Sequence, residues 1–228
     1  MRVRDVAIRA WRRLAGGQKA QPPAARYAVL QQVFEQQVPS KCNLLEIGTF
    51  KGKTAVALIR TALRHESRDA VHYYGFDLWE DMDEPTFQRE LSKRRQTTMA
   101  ETQSRIALAT GLPKAQIHLT RGDSTKTLWA QLPALPIMDF MFIDGGHSTA
   151  TVASDWRACE TLMGSGGMVV FDDYFHFPFG PRLVVDALDP AVYAVTVLAP
   201  QDVFEDRFGI SPDGVLRINL AQVVRRGG

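Results

Sequence analysis

The sequence predicts an α/β protein with a doubly wound, mostly parallel seven-stranded sheet, helices on both faces and a terminal antiparallel strand pair. Three observations lead to this prediction. Five short apolar segments alternate with helical segments, which is the order of successive βα units. These apolar segments are rich in Val, Ile and Phe, as is typical of parallel strands covered on both faces. The last two strand segments have no helix between them, so we expect them to pair in antiparallel fashion.

Each element is predicted from the spacing of its apolar residues. The predicted strands cover residues 43–47, 71–76, 116–120, 137–143, 168–171, 192–198 and 214–220. The predicted helices cover residues 27–38, 53–64, 124–130, 149–163 and 181–188, with one or two further helices within 80–110. The helix over 149–163 is predicted from one apolar stripe, formed by Val152, Trp156, Cys159 and Met163.

Length and composition indicate one domain. The chain has 228 residues, 45% of them hydrophobic, which is enough for one sizeable core. We divide it into a basic arm and hinge over 1–24, a domain over 25–220 and a tail over 221–228. No apolar run approaches the roughly 20 residues of a membrane span, and no secretory signal is recognisable. Cys42 and Cys159 form neither a disulfide framework nor a metal-spaced pair, which predicts a reducing cytoplasm.

Positive charge is concentrated in the first twenty residues. This arm holds six basic residues against one acidic residue, a charge of +5, so the rest of the chain carries −3 within the total of +2. A mildly acidic body is not a nucleic-acid surface, and we predict no nucleic-acid partner. The arm either contacts an acidic membrane or nucleic acid, or packs on the domain or a second subunit. We favour packing, because Val3, Ala7, Trp11 and Leu14 form an apolar stripe, and packing on a second subunit would make a homo-oligomer.

The loop GTFKGKT, residues 48–54, looks at first like a phosphate-binding loop. Such a loop needs four residues between its first Gly and the Gly-Lys-Thr triplet, whereas three residues separate Gly48 from Gly52. The dinucleotide pattern also fails, because Phe50 stands where its second Gly belongs. The two glycines still allow the backbone to approach a ligand closely. The loop therefore predicts a nucleoside ligand without a polyphosphate.

Acidic residues follow or end five predicted strands, at the sheet edge where open α/β sheets bind ligands. They are Glu46, Asp77, Asp123, Asp144 and the pair Asp172-Asp173. Each acid alone has a plain alternative as a turn residue or helix cap, so the set carries the argument. Asp77 is placed to accept ribose hydroxyls, Glu46 to orient an ammonium group, and Asp123-Ser124 to bond an adenine amino group. The predicted ligand is an adenosine with a small, partly cationic tail.

Five motifs within residues 45–174 together resemble those of class I S-adenosylmethionine (SAM)-dependent methyltransferases. They read LEIGTFKGKTA, YYGFDLWE, HLTRGDS, FMFIDGGHS and GGMVVFDDY. The combination of IDGGH with FDDY is the most specific, and it resembles the metal-dependent O-methyltransferases of macrolide sugars and their cephalosporin-biosynthesis relatives. The resemblance implies a Rossmann-like sheet and SAM as cofactor. The cofactor contacts that we expect are Glu46, Gly48, Thr49, Gly52, Thr54, Asp77, Leu78, Asp123, Ser124 and Asp144.

Asp144, Asp172 and Asp173 lie at the ends of two strands that should be neighbours. Three carboxylates so close together would repel one another, and a hard divalent cation, Mg²⁺ first, relieves that repulsion. One cap acid beside two solvated loop acids is the plain alternative. The resemblance implies that His147 is the general base, and the alternative is a cap of the following helix. We expect a metal-bound hydroxyl to lose its proton to His147 and attack the sulfonium methyl group.

The expected activity is O-methylation of a small molecule, a sugar or other natural product. Catechol-type methyltransferases resemble this layout but usually carry Lys at the position of His147 and Asn at that of Asp173. A catechol or phenol acceptor and a catalytically silent SAM-binding scaffold remain alternatives. A nucleotide-dependent oxidoreductase needs a phosphate-cradling loop, and a nucleic-acid methyltransferase needs a basic body or an Asn-Pro-Pro-type tetrad; this sequence has neither.

Two further segments border the expected site. Residues 80–110 should shape substrate choice, and the charges of RELSKRR within them indicate a solvated helix face. The aromatic loop YFHFPFGP, residues 174–181, has two interpretations: a lid or sugar-stacking wall, or packing against the sheet edge or a subunit.

Overall fold

The computed structural model of the chain describes residues 25–36, 42–90, 97–207 and 209–226. The basic arm, its apolar stripe and the end of the first predicted helix lie outside the described residues. None of the helices in the described ranges is both long and apolar enough to cross a bilayer.

Strands and helices alternate as the sequence predicts. The strands are β1 Cys42–Ile47, β2 Val71–Asp77, β3 Ile117–Arg121, β4 Met138–Ile143, β5 Met163–Phe175, β6 Tyr193–Glu205 and β7 Val215–Arg225. The helices are α1 Ala25–Glu35, α2 Lys53–His65, α3 Glu84–Arg89, α4 Met99–Thr110, α5 Ser124–Gln131, α6 Thr149–Leu162 and α7 Pro181–Asp186. The segment over 80–110 thus holds two α-helices in its described part.

Local sequence signals explain where several helices begin and end. Thr98 and Glu101 form a reciprocal capping box at the start of α4, and Gly111 ends that helix in the left-handed conformation, with φ +71°. Ser148 caps α6 by accepting a hydrogen bond from the Thr151 amide. His147 is therefore not the cap of α6, which was the plain alternative for this residue.

The seven strands form one sheet in the order β3-β2-β1-β4-β5-β7-β6. The pairs from β3 through β5 are parallel, and β7 pairs in antiparallel fashion with both β5 and β6. The predicted fold class is confirmed. Strand order reverses between β1 and β4, and this point fixes the edge at which a ligand is expected.

Helices cover both faces of the sheet, so the core has two apolar layers. One layer joins α1, α2 and α4 to the sheet through residues such as Phe34, Ile59 and Ile106. The other joins α5, α6 and α7 to the opposite face, and Trp156 packs there against Phe171. The central strands β1 and β4 are almost wholly buried, as their apolar composition predicts, whereas the edge strands β3 and β6 carry exposed side chains.

The last strands are longer than predicted. β5 begins directly after α6 and continues through the two aspartates to Phe175, with a register break between Phe171 and Tyr174. β6 and β7 also extend, and β7 runs to Arg225 with Ala221 and Val223 fully buried. Residues 221–225, which the sequence analysis assigned to the tail, therefore belong to the sheet.

Candidate active site

A cleft of about 690 Å³ opens along the carboxyl ends of the parallel strands. It lies where strand order reverses between β1 and β4, and its volume falls within the range of small-molecule sites, about 300–1,000 Å³. The predicted site residues that line it are Gly48, Asp77, Leu78, Asp123, Ser124, Asp144, His147 and Asp173. The structure thus brings both ends of the predicted site into one cleft.

Gly48 shapes the loop after β1. It has φ +93°, and a Cβ at this position would lie 1.9 Å from the backbone oxygen of Asp144. Only glycine fits such a conformation at such a close approach. Gly52 has φ +69° and precedes α2, where a Cβ would lie 2.7 Å from Ile106 of α4. Gly48 faces the cleft, whereas Gly52 supports the loop from behind.

Asp77 ends β2 and fixes the floor of the cleft. Its Oδ2 accepts a hydrogen bond from the Phe50 amide at 2.7 Å, and its Oδ1 accepts one from the Trp79 amide at 3.1 Å. A carboxylate offers about four acceptor positions, so acceptor capacity remains for hydroxyls of a ligand. The Trp79 indole donates to the Phe50 carbonyl at 2.9 Å and lines the cleft.

Asp123 and Ser124 lie at the start of α5 on the same side of the cleft. Asp123 caps this helix, because its Oδ1 accepts hydrogen bonds from the Thr125 amide at 3.0 Å and the Thr125 hydroxyl at 2.7 Å. The plain structural role considered for this acid is therefore present alongside its position in the lining. The contact with an adenine amino group stays a prediction.

Among the described residues, four predicted cofactor contacts lie outside the lining of the cleft: Glu46, Thr49, Gly52 and Thr54. Glu46 is buried and accepts a hydrogen bond from the Tyr73 hydroxyl, which lies 3.0 Å from the Thr49 hydroxyl. Strand alternation turns Glu46 toward the layer that holds Tyr73 and α2, away from the open edge. These residues form a buried polar network beneath the loop, and their contact with a cofactor stays a prediction.

A bulge in β5 brings Asp172 and Asp173 to the site. Successive side chains of a regular strand point to opposite faces, but the register breaks here and Asp173 has φ +52°. Asp172 is 1% exposed, and Asp173 lines the cleft. Oxygens of Asp144, Asp172 and Asp173 lie within 4.8 Å of one another, so the predicted convergence of the three acids is present.

A guanidinium that the sequence analysis did not anticipate binds this acidic cluster. Arg26 of α1 donates from Nε to Asp172 Oδ1 at 2.6 Å and from Nη2 to Asp172 Oδ2 at 3.0 Å. Its Nη1 donates to Asp202 of β6 at 3.1 Å, and Nη2 lies 3.7 Å from Asp173. Burial opposes the charge, but Asp172 and Asp173 outweigh it and raise the pKa of Arg26 above its ordinary value.

Tyr27 adds a second donor from α1. Its hydroxyl donates to Asp172 Oδ2 at 2.8 Å and lies 3.2 Å from Asp144 Oδ2. Burial and the charges of Asp144 and Asp172 raise the pKa of Tyr27, so the phenol keeps its proton.

The acceptor positions of Asp172 decide whether a metal ion fits. Oδ1 accepts from Arg26 and from the Asp173 amide at 2.7 Å, and Oδ2 accepts from Arg26 and Tyr27. These four donors use the roughly four acceptor positions of a carboxylate. The oxygen-rich donor set suits a hard cation, but with α1 in place Asp172 has no acceptor position left for one. The three acids in this arrangement do not fit the predicted Mg²⁺ site.

His147 lies between a carbonyl and a carboxylate. Its Nδ1 faces the carbonyl oxygen of Glu90, and its Nε2 forms a hydrogen bond with Asp173. Burial alone would lower the pKa of His147, but the charge and hydrogen bond of Asp173 outweigh burial and raise the pKa to about 9. The imidazole is thus protonated at neutral pH, whereas the sequence analysis assumed a pKa near the ordinary value of about 6.5.

Glu90 holds the loop that carries His147. Its Oε2 accepts hydrogen bonds from the His147 amide at 2.8 Å and the Ser148 amide at 2.9 Å, and Oε1 accepts one from the Thr151 hydroxyl at 3.2 Å. Glu90 is only 6% exposed. The interpretation of RELSKRR as a solvated helix face is therefore wrong for this residue, because its carboxylate is buried and accepts hydrogen bonds from two partly buried amides.

The aromatic loop, residues 174–181, packs at the end of the cleft that Asp173 lines. Phe175 lies 5.5 Å from Phe177 and 5.7 Å from Phe179, measured between ring centroids. The three rings pack with Leu216 and Ile218 of β7, and Phe175 also lines the cleft. The loop packs against the sheet edge, as one interpretation predicts, and Phe175 also borders the cleft, so the interpretation as a wall for a substrate stays a prediction.

Residues 45–174 match a protein family described as a methyltransferase domain, and the match covers more than half of the chain. The chain belongs to this methyltransferase family. Two solved structures support the same conclusion for the fold of the methyltransferase. The Bacillus cereus O-methyltransferase in complex with SAH has a TM-score of 0.59 and 16% identity, covering 96% of this chain and 89% of that one. TomG, the Streptomyces achromogenes O-methyltransferase of tomaymycin synthesis in complex with SAM, has a TM-score of 0.59 and 15% identity, covering 95% and 86%.

The fold alone does not select the acceptor. An rRNA methylase from Streptococcus thermophilus also has a TM-score of 0.59, with 10% identity over 89% of this chain and 97% of that one. An uncharacterised protein of Acanthamoeba polyphaga mimivirus is 31% identical over 68 residues. That match spans 29% of this chain and 31% of the viral protein, so the chain covers under a third of this relative. The prediction of a methyltransferase is confirmed by the family, and the predicted Rossmann-like fold is confirmed by the solved structures.

Sequence reasoning missed four residues of the methyltransferase site: Arg26, Tyr27, Glu90 and Asp202. Tyr27 begins the first predicted helix and Arg26 lies just before it, and no pattern in the sequence indicates a role for either side chain. Asp202 lies on the sixth strand, 30 residues beyond Asp172. The sequence signal that could have indicated a nearby arginine was the excess of carboxylates at the strand ends. Clustered carboxylates need a positive charge close by, from a metal ion or from a basic side chain.

Proposed function

We propose that this methyltransferase transfers the methyl group of SAM to a hydroxyl of a small molecule, a sugar or another natural product. The observation that carries the proposal is the continuity of one cleft from Asp77, past Gly48 and Asp144, to His147 and Asp173. Structural neighbours of the same fold hold SAM or SAH, which supports the choice of cofactor.

In this proposal the nucleoside occupies the end of the cleft lined by Asp77, Leu78 and Ser124. Asp77 accepts the ribose hydroxyls with its remaining acceptor positions. The sulfonium group passes the bare backbone of Gly48 and lies near Asp144, where a carboxylate attracts its positive charge. The loop supplies no phosphate cradle, which agrees with a sulfonium tail.

The acceptor occupies the opposite end, between the His147–Asp173 pair and an apolar wall. Phe175, Leu216 and Ile218 form that wall. A few polar groups beside apolar side chains are typical of small-molecule sites. The flat face of a sugar or aromatic ring packs on such a wall, while its hydroxyl points to the acid–base pair.

Proton transfer is assigned to Nε2 of His147. Nδ1 faces a carbonyl oxygen, which only accepts hydrogen bonds, so Nδ1 keeps its proton. Neutral His147 therefore has its lone pair on Nε2, next to Asp173 at the cleft. Nε2 takes the proton of the acceptor hydroxyl as the oxygen attacks the methyl group, and Asp173 stabilises the imidazolium that forms.

No step of this mechanism is routed through a metal ion. The Mg²⁺ prediction rested on three free carboxylates, and Asp172 is bound to protein donors on both oxygens.

We place the reaction in a reducing cytoplasm, because both cysteines are unpaired and buried.

The experiment is a methyl-transfer assay with labelled SAM, a panel of sugars, catechols and phenols, and an RNA fragment. We expect SAH to form with a small-molecule hydroxyl. His147→Ala should slow turnover by about 10²–10⁴-fold with SAM affinity retained. His65→Ala is the matched control, because His65 is exposed on α2 and pairs with Glu35.

Two outcomes would contradict the proposal. SAM binding without turnover on any acceptor would favour the silent scaffold. Methylation of RNA alone would move the chain to another acceptor class.

A further inference from the structure

We propose that Arg26 takes the place of a divalent cation at the acidic end of the cleft. On this proposal Asp172 is not a metal ligand, and methyl transfer needs no added metal ion. The claim that methyl transfer needs no metal ion rests on the proposed function. The claim that Asp172 binds no metal ion depends only on the contacts within this cluster of side chains.

Protein donors already fill the acceptor positions of Asp172. Its carboxylate receives four hydrogen bonds, two of them from the planar fork of Arg26, the geometry that guanidinium and carboxylate groups share. Mg²⁺ requires oxygen ligands at about 2.0–2.1 Å with their lone pairs directed at the ion. A metal ion at Asp172 would have to displace Arg26 or Tyr27.

Arg26 is also held in place from the side opposite Asp172, by Asp202. Asp202 accepts a hydrogen bond from the Arg26 side chain at 3.1 Å and from the backbone amides of Ala25 and Arg26 at 3.0 and 3.2 Å. One carboxylate thus caps the start of α1 and orients its guanidinium. The guanidinium also lies 4.8 Å from the centre of the Tyr27 ring, and the side chain is only 9% exposed.

The positive charge of Arg26 lies beside the acidic cluster, where a divalent ion was expected. Arg26 contacts Asp172 directly, lies 3.7 Å from Asp173, and remains charged at any pH that proteins tolerate. Its charge reduces the repulsion among the three acids, which was the reason for predicting a metal ion. A divalent ion would instead be repelled by the guanidinium across a distance of a few ångströms.

Arg26 is therefore a positioning residue, since it acts through Asp172 and Asp173. It fixes the bulge of β5 and leaves the second carboxylate beside His147. A merely structural arginine would have no effect on metal affinity, whereas the proposed role predicts that metal affinity depends on its charge.

The test is a titration of the full chain with Mn²⁺, followed by electron paramagnetic resonance of the free ion. Wild type is expected to show no saturable site at millimolar Mn²⁺. Arg26→Met, which removes the charge and keeps the bulk, is expected to bind at least about 100-fold more tightly, because a repelling charge is gone. Adding Asp172→Asn to Arg26→Met should abolish that gain.

Two further variants complete the design. Arg26→Lys keeps a cation and is expected to resemble wild type in Mn²⁺ binding. Arg64→Met is the matched control, because Arg64 forms an exposed ion pair with Glu35 on α2, and no gain is expected. If Arg26→Met does not fold, the wild-type titration still tests whether Asp172 is a metal ligand.

A tight Mn²⁺ site in wild type that Asp172→Asn removes would overturn the proposal. So would a folded Arg26→Met protein that binds no Mn²⁺. SAH formation by wild type should persist in EDTA, and loss of turnover in EDTA with recovery in Mg²⁺ would also overturn it. Manganese binding needs neither cofactor nor acceptor, so a failure of the proposed function would be recognised separately.

Discussion

A buried carboxylate beside Ser124 of the cleft lining provides a quantitative test of the structure. Asp155 lies on α6, is 1% exposed, and has no hydrogen-bond partner of good geometry on either oxygen within the described part of the chain. Burial raises the pKa of Asp155 to about 7, although the Ser124 hydroxyl opposes the rise. We predict that Asp155→Asn, which is neutral and nearly isosteric, stabilises the protein at alkaline pH and has little effect at acidic pH.

The size of this effect follows from the two pKa values. The ordinary pKa of Asp is 3.8, so the native state binds this proton more tightly than the unfolded state between about pH 4 and pH 7. Stability therefore falls as pH rises through this window, because ionising Asp155 costs more in the native protein. A shift of about three units corresponds to about 4 kcal/mol, of which about 2–3 kcal/mol develops between pH 5 and pH 8.5.

The assay is urea unfolding of wild type and Asp155→Asn at pH 5 and pH 8.5. The variant should gain about 2–3 kcal/mol in free energy of unfolding, relative to wild type, on going to the higher pH. Asp69→Asn is the control, because Asp69 is exposed, and it should show no such pH-dependent gain. An equal difference at both pH values, or a loss at pH 8.5, would refute the assignment of a costly buried charge.

Three further predictions follow from the site. Because the pKa of His147 is raised to about 9, kcat/KM should rise with pH, with an apparent pKa near 9. The ion pair of His147 with Asp173 contributes its full stabilisation below about pH 6.5, so the free energy of unfolding should fall as pH rises through 9. A rate independent of pH from 7 to 9 would contradict this prediction. Gly48→Ala should abolish SAM binding in calorimetry while leaving the protein folded. The added Cβ would overlap the backbone oxygen of Asp144, so the loop would have to shift. Unchanged affinity for SAM would show that this loop does not bind the cofactor. Glu90→Ala should cost about 3 kcal/mol in free energy of unfolding, measured by urea titration, because buried amides of residues 147 and 148 lose their acceptor; a change below about 0.5 kcal/mol would argue against this anchor.

The fold could be predicted from the sequence because its signals are local and repeated. Apolar strands with helices between them determine a parallel sheet, and the helix-free gap before residue 214 determines the antiparallel end. The lengths of β5 and β7 were underestimated. Polar residues such as Asp172 and Gln222 interrupt the apolar pattern, and backbone pairing with a neighbouring strand carries the strand past them.

Part of the candidate site could be predicted from the sequence and part could not. Asp77, Asp144 and His147 were found because each follows a recognisable strand, and parallel strands bring their carboxyl ends to one edge. Arg26 and Asp202 were not found, because they come from elements far apart in sequence that meet only after the sheet has formed. The raised pKa of His147 could not be predicted from the sequence either, because it depends on one short contact with Asp173.

The most direct measurement for the central claim is calorimetric titration of SAM into the metal-free protein and its Asp77→Ala variant. The account predicts one SAM molecule per wild-type chain and affinity at least about tenfold weaker in the variant, because a charged acceptor of the ribose hydroxyls is lost. Absence of SAM binding, or equal affinity in both proteins, would contradict a nucleoside lying against the end of β2.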